Sequence, residues 1–351
     1  MRGTGGATWA RLAAAGLVQG EPPAVPLESP WYVRLMLGFA GWIAALFLLG
    51  FVAAALSWVV DNEGASIGTG LLLCAVAWLL FRKLGGNDFA AQFALAISFA
   101  GQALFVVGVY GLYGSQGEPA GPWLWLALLQ AVLLAVMPNA VHRLWSGFAA
   151  AGSLYLALHA LHAGFLAPPL MLAAAAWAWL VEFRWPRAAP ALRPAAYGLV
   201  LALIMVELAA GLVAPGIGFD PEPRDRRLWS QAINGAVLLA VVWVLLRRSG
   251  ARWPGRAFLA VLAGTLLTVL VSLEAPGIAA GLCILLLGHA HGNGVLTGLG
   301  GAALLLYAGG YYYELDTTLL VKSQVMAATG AVLLALRWIL LRWLQPGAAD
   351  A

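Results

Sequence analysis

Charge is what this sequence has least of. Only 10% of its 351 residues are Asp, Glu, Lys or Arg, against about 25% in soluble domains. That shortfall excludes a soluble multidomain chain and leaves the membrane class. Cysteine is nearly absent too. Cys74 and Cys283 each lie within an apolar run, where a lone thiol is a small packing residue rather than half of a disulfide or a metal site. No apolar–polar alternation of strand length competes with the long runs, which argues against a β-barrel. The signatures of nucleotide and hydrolytic chemistry are missing as well: Gly-x-x-x-x-Gly-Lys-[Ser/Thr], His-Glu-x-x-His and Gly-x-Ser-x-Gly do not occur. The sequence therefore assigns no catalytic residue, no cofactor and no metal. His289 and His291 flank Ala290 without Cys, Asp or Glu beside them, and read as an ordinary solvated loop. A net charge of +4 does not imply nucleic acid, because the basic residues sit in small groups between apolar runs, as topology signals do.

What the chain has in quantity is hydrocarbon. It is 62% hydrophobic, with a mean hydropathy of +0.87. A membrane-spanning helix needs about 20 apolar residues. On that basis the runs predict spans near 35–60, 65–81, 89–112, 122–138, 146–165, 168–184, 195–214, 230–247, 256–273, 275–288, 294–313 and 323–344. The expected fold is all-α: a polytopic bundle of about twelve transmembrane helices, with the lipid bilayer as its first partner. The weakest span, 275–288, is short and opens Ala275-Pro276-Gly277; full crossing and re-entry both stay open for it. Glycine pairs four apart, Gly64/Gly68, Gly277/Gly281 and Gly294/Gly298, and the series Gly108, Gly111, Gly114 are candidate close-packing points.

The basic residues give the orientation. With the N-terminus in the cytoplasm, 15 of the 19 Lys and Arg fall inside, and nine of the 15 Asp and Glu fall outside. Both termini are then cytoplasmic. This predicts a cytoplasmic segment over 1–30, a transmembrane domain over 31–344 and a cytoplasmic tail over 345–351. Residues 1–30 do not read as a cleavable signal peptide. Trp9, Leu12, Ala13 and Leu17 have helical spacing, which fits a short helix at the membrane surface or a loosely ordered tail.

Titratable residues inside such a chain need a reason. Glu207 has apolar neighbours on both sides in LVLALIMVELAAGLV. A carboxylate at depth costs about 2.5–3.5 kcal/mol on insertion scales. It must face the protein interior, and is either a proton or cation site or a neutral acid bonded to a neighbouring helix. His159 and His162 close the fifth span, and their spacing of three predicts one shared helix face. Glu274, Glu314, Asp316 and Lys322 lie at the same outer boundary. Tyr311, Tyr312 and Tyr313 fit an interfacial aromatic belt. Lys322 defies the charge bias, and is expected to pair with Glu314 or Asp316 across a tight connection. The candidate functional residues are therefore Glu207, Lys322, Glu314, Asp316, His159 and His162.

Three stretches carry a resemblance. Pro30-Trp-Tyr-Val-Arg34 runs into Gly38-Phe-Ala-Gly-Trp42; Gly288-His-Ala-His-Gly-Asn293 precedes span eleven; and Tyr311-Tyr-Tyr-Glu-Leu-Asp-Thr-Thr-Leu-Leu-Val-Lys322-Ser323 precedes a span ending Leu336-Arg-Trp-Ile-Leu. The chain resembles the domain of unknown function 4401 family of bacterial multi-pass membrane proteins. The resemblance implies an inner-membrane protein and carries over no catalytic residues. Three function classes follow from the residues. One is a transporter or channel for a small solute or ion. The second is a scaffold or assembly subunit that binds other membrane proteins. The third is a membrane-embedded enzyme acting at the outer face on an envelope or lipid-linked substrate. The sequence identifies no small-molecule substrate.

Overall fold

The computed structural model describes residues 57–84, 88–114, 119–185, 188–212, 223–249 and 255–314, with scattered positions within 9–20, 36–54 and 320–338. All regular structure among these residues is helical. In chain order the helices are α1 (Ser57–Val60), α2 (Glu63–Leu84), α3 (Asp88–Gly114), α4 (Gly121–Val136), α5 (Ala140–Ala160), α6 (Ala167–Val181), α7 (Ala189–Leu212), α8 (Arg224–Arg248), α9 (Arg256–Glu274), α10 (Ile278–Ala290) and α11 (Gly294–Glu314). Short 3₁₀ turns, Gly164–Leu166 and Glu182–Arg184, flank α6.

From α2 to α11 the helices fall one by one on the predicted spans from 65–81 to 294–313. The largest displacement is at α5, predicted over 146–165 and observed at Ala140–Ala160. Its start is fixed by Asn139, whose side chain accepts the His142 N–H and satisfies one of the open donors of the first turn. Its end is fixed by His162, which takes a left-handed φ of 58°. The first and last predicted spans, 35–60 and 323–344, lie largely outside the described residues. Near the N-terminus, Trp9, Arg11, Ala13 and Ala14 are helical, and Gly16 ends that turn with φ 68°.

Among the described residues, six helical segments are long and apolar enough to cross a membrane: Glu63–Leu84, Asp88–Tyr113, Gly164–Val181, Ala189–Ala209, Arg224–Arg248 and Gly294–Tyr312. Gly121–Val136, Phe258–Glu274 and Ile278–Ala290 are apolar but shorter. The distribution of side chains matches. Large hydrophobics such as Leu72, Leu128, Met205, Leu270 and Leu305 are exposed, while Gln102, Gln130, His142, Glu207, Gln231 and Asn234 are buried. Polar groups with no water outside to bond must find partners inside.

Two apolar cores organise the bundle. One joins α2, α3 and α4 through Cys74, Phe81, Leu95, Phe105 and Leu133. The other joins α5 to α8 with α10 and α11 through Leu172, Trp179, Leu203, Leu238, Ile284 and Leu296. Both cysteines are free and buried, as packing residues should be. α2 and α3 come close together at Gly70 and Gly101, where a Cβ on either would lie 2.5 Å from the other's carbonyl oxygen. Small residues at such crossings let helices meet without side chains between them. The spacing rule found these points only in part. Gly108, Gly277 and Gly281 are tightly packed, whereas Gly68, Gly294 and Gly298 face open space, because in a glycine-rich chain spacing alone does not choose the packed face. In α7, Pro194 has no N–H for the carbonyl of Pro190. The Arg143 guanidinium donates to that oxygen instead, at 3.5 Å.

Candidate functional site

Glu207 lies late in α7 and is only 3% exposed. α8 packs beside it and presents Ser230, Gln231 and Asn234 on one buried face. Residues three and four apart on a helix lie over one another, so Gln231 and Asn234 reach the same carboxylate. Asn234 Nδ2 donates to Glu207 Oε1 at 2.7 Å. Gln231 Nε2 donates to Oε2 at 3.1 Å, with a longer contact of 3.4 Å to Oε1. The donors are carboxamides, so the carboxyl is hydrogen-bonded without a neutralising cation among these partners.

The Gln231 amide is held by the turn between α9 and α10. Its Oε1 accepts the backbone N–H of Gly277 at 3.2 Å, which aims its NH₂ at Glu207. Gly277 adopts φ 85°, a conformation that glycine takes at no steric cost. A Cβ there would also meet the Tyr307 ring at 2.7 Å. Tyr307, on α11, is buried. The carboxyl on α7 is thus held directly by α8, and the α9–α10 turn and α11 stand behind it through Gln231 and Gly277.

A second buried polar network, which the sequence reading passed over, joins α3, α4 and α5. Ser98 Oγ lies 2.8 Å from His142 Nε2. Gln102 Nε2 reaches both Ser98 Oγ and His142 Nε2 at 3.3 Å. Gln102 Oε1 accepts from Gln130 Nε2 at 2.8 Å and from Trp145 Nε1 at 3.1 Å. Ser146 Oγ lies 3.1 Å from His142 Nδ1. These bonds have a direction. The indole N–H only donates, so Gln102 must turn its oxygen to Trp145 and Gln130 and its NH₂ to His142. His142 Nε2 is then an acceptor, and the ring proton sits on Nδ1, donating to Ser146. The network describes a neutral imidazole whose Nε2 lone pair faces the Ser98 hydroxyl. Phe81 and Phe99 close over the ring, with centroids at 6.2 and 6.0 Å.

A family model for the Domain of unknown function (DUF4401) matches residues 30–343. The chain belongs to the DUF4401 family. No curated protein and no solved structure matches it. Within this DUF4401 chain the stretch Gly288–Asn293 has a structural explanation. α10 ends at Ala290 and Gly292 turns the chain with φ 62°. Asn293 then caps α11, accepting the Leu296 N–H at 3.1 Å. Its side chain also bonds Tyr197 of α7 in both directions, with Tyr197 Oη donating to Oδ1 at 2.9 Å and Nδ2 lying 2.7 Å from Tyr197 Oη. The motif is a helix stop, a turn and a cap. Among the described residues no group of three or more His, Cys, Asp or Glu is placed to hold a metal.

Of the other predicted residues, His159, His162 and Glu274 make their described contacts elsewhere. His159 is in the last turn of α5, half-buried against the Tyr155 ring. His162 is exposed beyond the helix end, so the two histidines do not share a helix face as their spacing predicts. The carbonyl of His162 instead accepts from Arg226 Nη1 at 2.6 Å. Glu274 makes an exposed ion pair with Arg224 at 3.1 Å. α11 continues through Glu314, so Tyr311 to Tyr313 are helical, and Tyr311 and Tyr312 are half-buried. The Glu314 side chain, Asp316 and Lys322 lie outside the described residues, and with them the expected Lys322 ion pair.

Proposed function

We propose that this DUF4401 protein is a bacterial inner-membrane transporter or channel for a small solute or ion, with Glu207 as the group that handles the ion. The supporting observation is the Glu207 carboxyl, buried in the bundle and held by two carboxamides. Carboxamides hold a carboxyl in place while leaving it able to gain and lose a cation or proton, as ionisable groups on membrane ion pathways do. The reading carries with it about twelve spans, both termini in the cytoplasm, and Glu207 in the outer half of the membrane. It also divides the chain as expected: a cytoplasmic segment over 1–30, the transmembrane domain over 31–344 and a tail over 345–351. The position of Glu207 between helices suits ion and solute sites in polytopic proteins.

The test is reconstitution. Purified protein in liposomes loaded with pH- and cation-sensitive dyes should dissipate an imposed ion gradient, and Glu207→Gln should abolish this while remaining inserted and folded. Flux that is unchanged in Glu207→Gln would remove Glu207 from the pathway. No flux from the wild type under any gradient would remove the transport reading itself.

A further inference from the structure

Among the described residues, Ser230 Oγ, Asn234 Oδ1 and Tyr307 Oη are buried side-chain oxygens without a hydrogen-bond partner. Each residue is at most 4% exposed. Each lies on a helix that packs at the carboxyl or at the Gly277 turn behind it. Asn234 bonds the carboxyl through its other amide atom. Ser230 is one turn before Asn234 on the same buried face of α8. The Tyr307 ring lies against Gly277, whose N–H orients Gln231. A buried polar atom without a partner costs about 1–3 kcal/mol, and several around one carboxyl group call for a shared explanation.

We propose that Glu207, Asn234, Ser230 and Tyr307 form a binding site for a desolvated alkali-metal cation. A proton on Glu207 would satisfy one carboxyl oxygen and supply one donor, leaving most of the surrounding oxygens as they are. A hard cation instead takes several oxygen ligands at once, and neutral hydroxyl and amide oxygens serve it as well as carboxylates. Charge selects the valence. The site offers one negative charge, so a monovalent ion leaves it neutral, whereas a divalent ion leaves a net charge in a low-dielectric interior. The Gly277 turn adds rigidity: it fixes Gln231, and Gln231 fixes the carboxylate, so ion binding requires little reordering.

The inference rests on the reading of Glu207 as an ion-handling group, and it is tested by binding without transport. Purified protein in detergent is melted in sodium chloride, potassium chloride or choline chloride at equal ionic strength and pH. The expected result is a saturable rise in Tm with sodium or potassium over choline, since a ligand that binds the folded state stabilises it by mass action. Glu207→Gln should lose the rise. Ser230→Ala and Tyr307→Phe each remove one oxygen with little change in volume, and should raise the half-saturating concentration several-fold. They carry the test if Glu207→Gln does not fold. Equal Tm in choline and alkali salts overturns the proposal. So does a half-saturating concentration unchanged in both Ser230→Ala and Tyr307→Phe, or a Tm that follows pH alone. An alkali-dependent Tm in a protein that moves nothing across vesicles keeps the site and removes transport; flux without any alkali-dependent Tm does the reverse.

Discussion

Ser98 Oγ and His142 Nε2 lie 2.8 Å apart, joining α3 to α5 through two fully buried residues. Because Gln102 serves His142 with its NH₂ and Gln130 and Trp145 with its oxygen, the amide cannot flip without setting donors against donors. Gln102→Leu should therefore destabilise the protein by about 1–3 kcal/mol, the cost of leaving buried partners unsatisfied. Gln130→Leu should cost less on top of Gln102→Leu than it does alone, because both act on one bond. Thermal unfolding of the two single variants and the double variant checks this. Strictly additive effects would mean that the network does not act as a unit.

The meeting of Gly70 and Gly101 gives a sharper steric prediction. Gly101→Val puts a side chain against the α2 backbone, with carbonyl oxygen 2.5 Å from the first added carbon. The helices must part, and yield and Tm should fall together. Gly68→Ala, with open space around it, should be neutral to slightly stabilising, since Ala favours helix over Gly by about 1 kcal/mol. Size-exclusion profiles and melting curves of the pair separate packing from glycine content.

Two ion pairs should differ in weight. Arg193 contacts Glu182 at 2.6 Å, and the Glu182 side chain is 5% exposed. Arg224 and Glu274 are 70% and 66% exposed. Arg193→Ala leaves a buried carboxylate without its partner and should cost about 2 kcal/mol. Arg224→Ala should fall within about 0.5 kcal/mol of wild type. Raised salt should weaken only the second pair. Similar losses in both variants would contradict the burial difference.

Topology is checked from whole cells. Reporter fusions at Arg82, Arg184 and Arg248 should report cytoplasm, and those at Glu118 and Arg224 the outer side. A single loop reporting the opposite side breaks the twelve-span reading at that loop.

Glu207 was legible in the sequence because a charge within an apolar run stands out against the cost of burying it. Its partners were not. Gln231 and Asn234 carry no charge, and in a helix that is apolar on most sides the periodicity does not mark one face as interior. The signal available was three polar residues at positions 230, 231 and 234 of a single span. His142 was hidden differently. Starting the fifth span at 146 left it in a loop, whereas Asn139 starts the helix earlier and draws His142 inside. The helix order followed directly from runs of apolar residues. The helix ends did not, because caps and left-handed turns such as His162 are set by local hydrogen bonding that hydropathy does not register.

α10 has thirteen residues and rises about 20 Å, about 10 Å less than the hydrocarbon thickness of an ordinary bilayer. Its residues Ala279, Ala280, Cys283, Ile284 and Leu287 are buried against neighbouring helices, so those helices, rather than lipid tails, face most of its length. Where acyl chains do meet this side of the molecule, they meet a short hydrophobic edge. In the proposed transmembrane arrangement, the bilayer would thin there or the neighbouring helices would tilt, at a fraction of a kcal/mol per Å. In that arrangement membrane thickness would become a mechanical variable for the α9–α10 turn, and short-chain lipids would fit that edge with less distortion than long-chain ones.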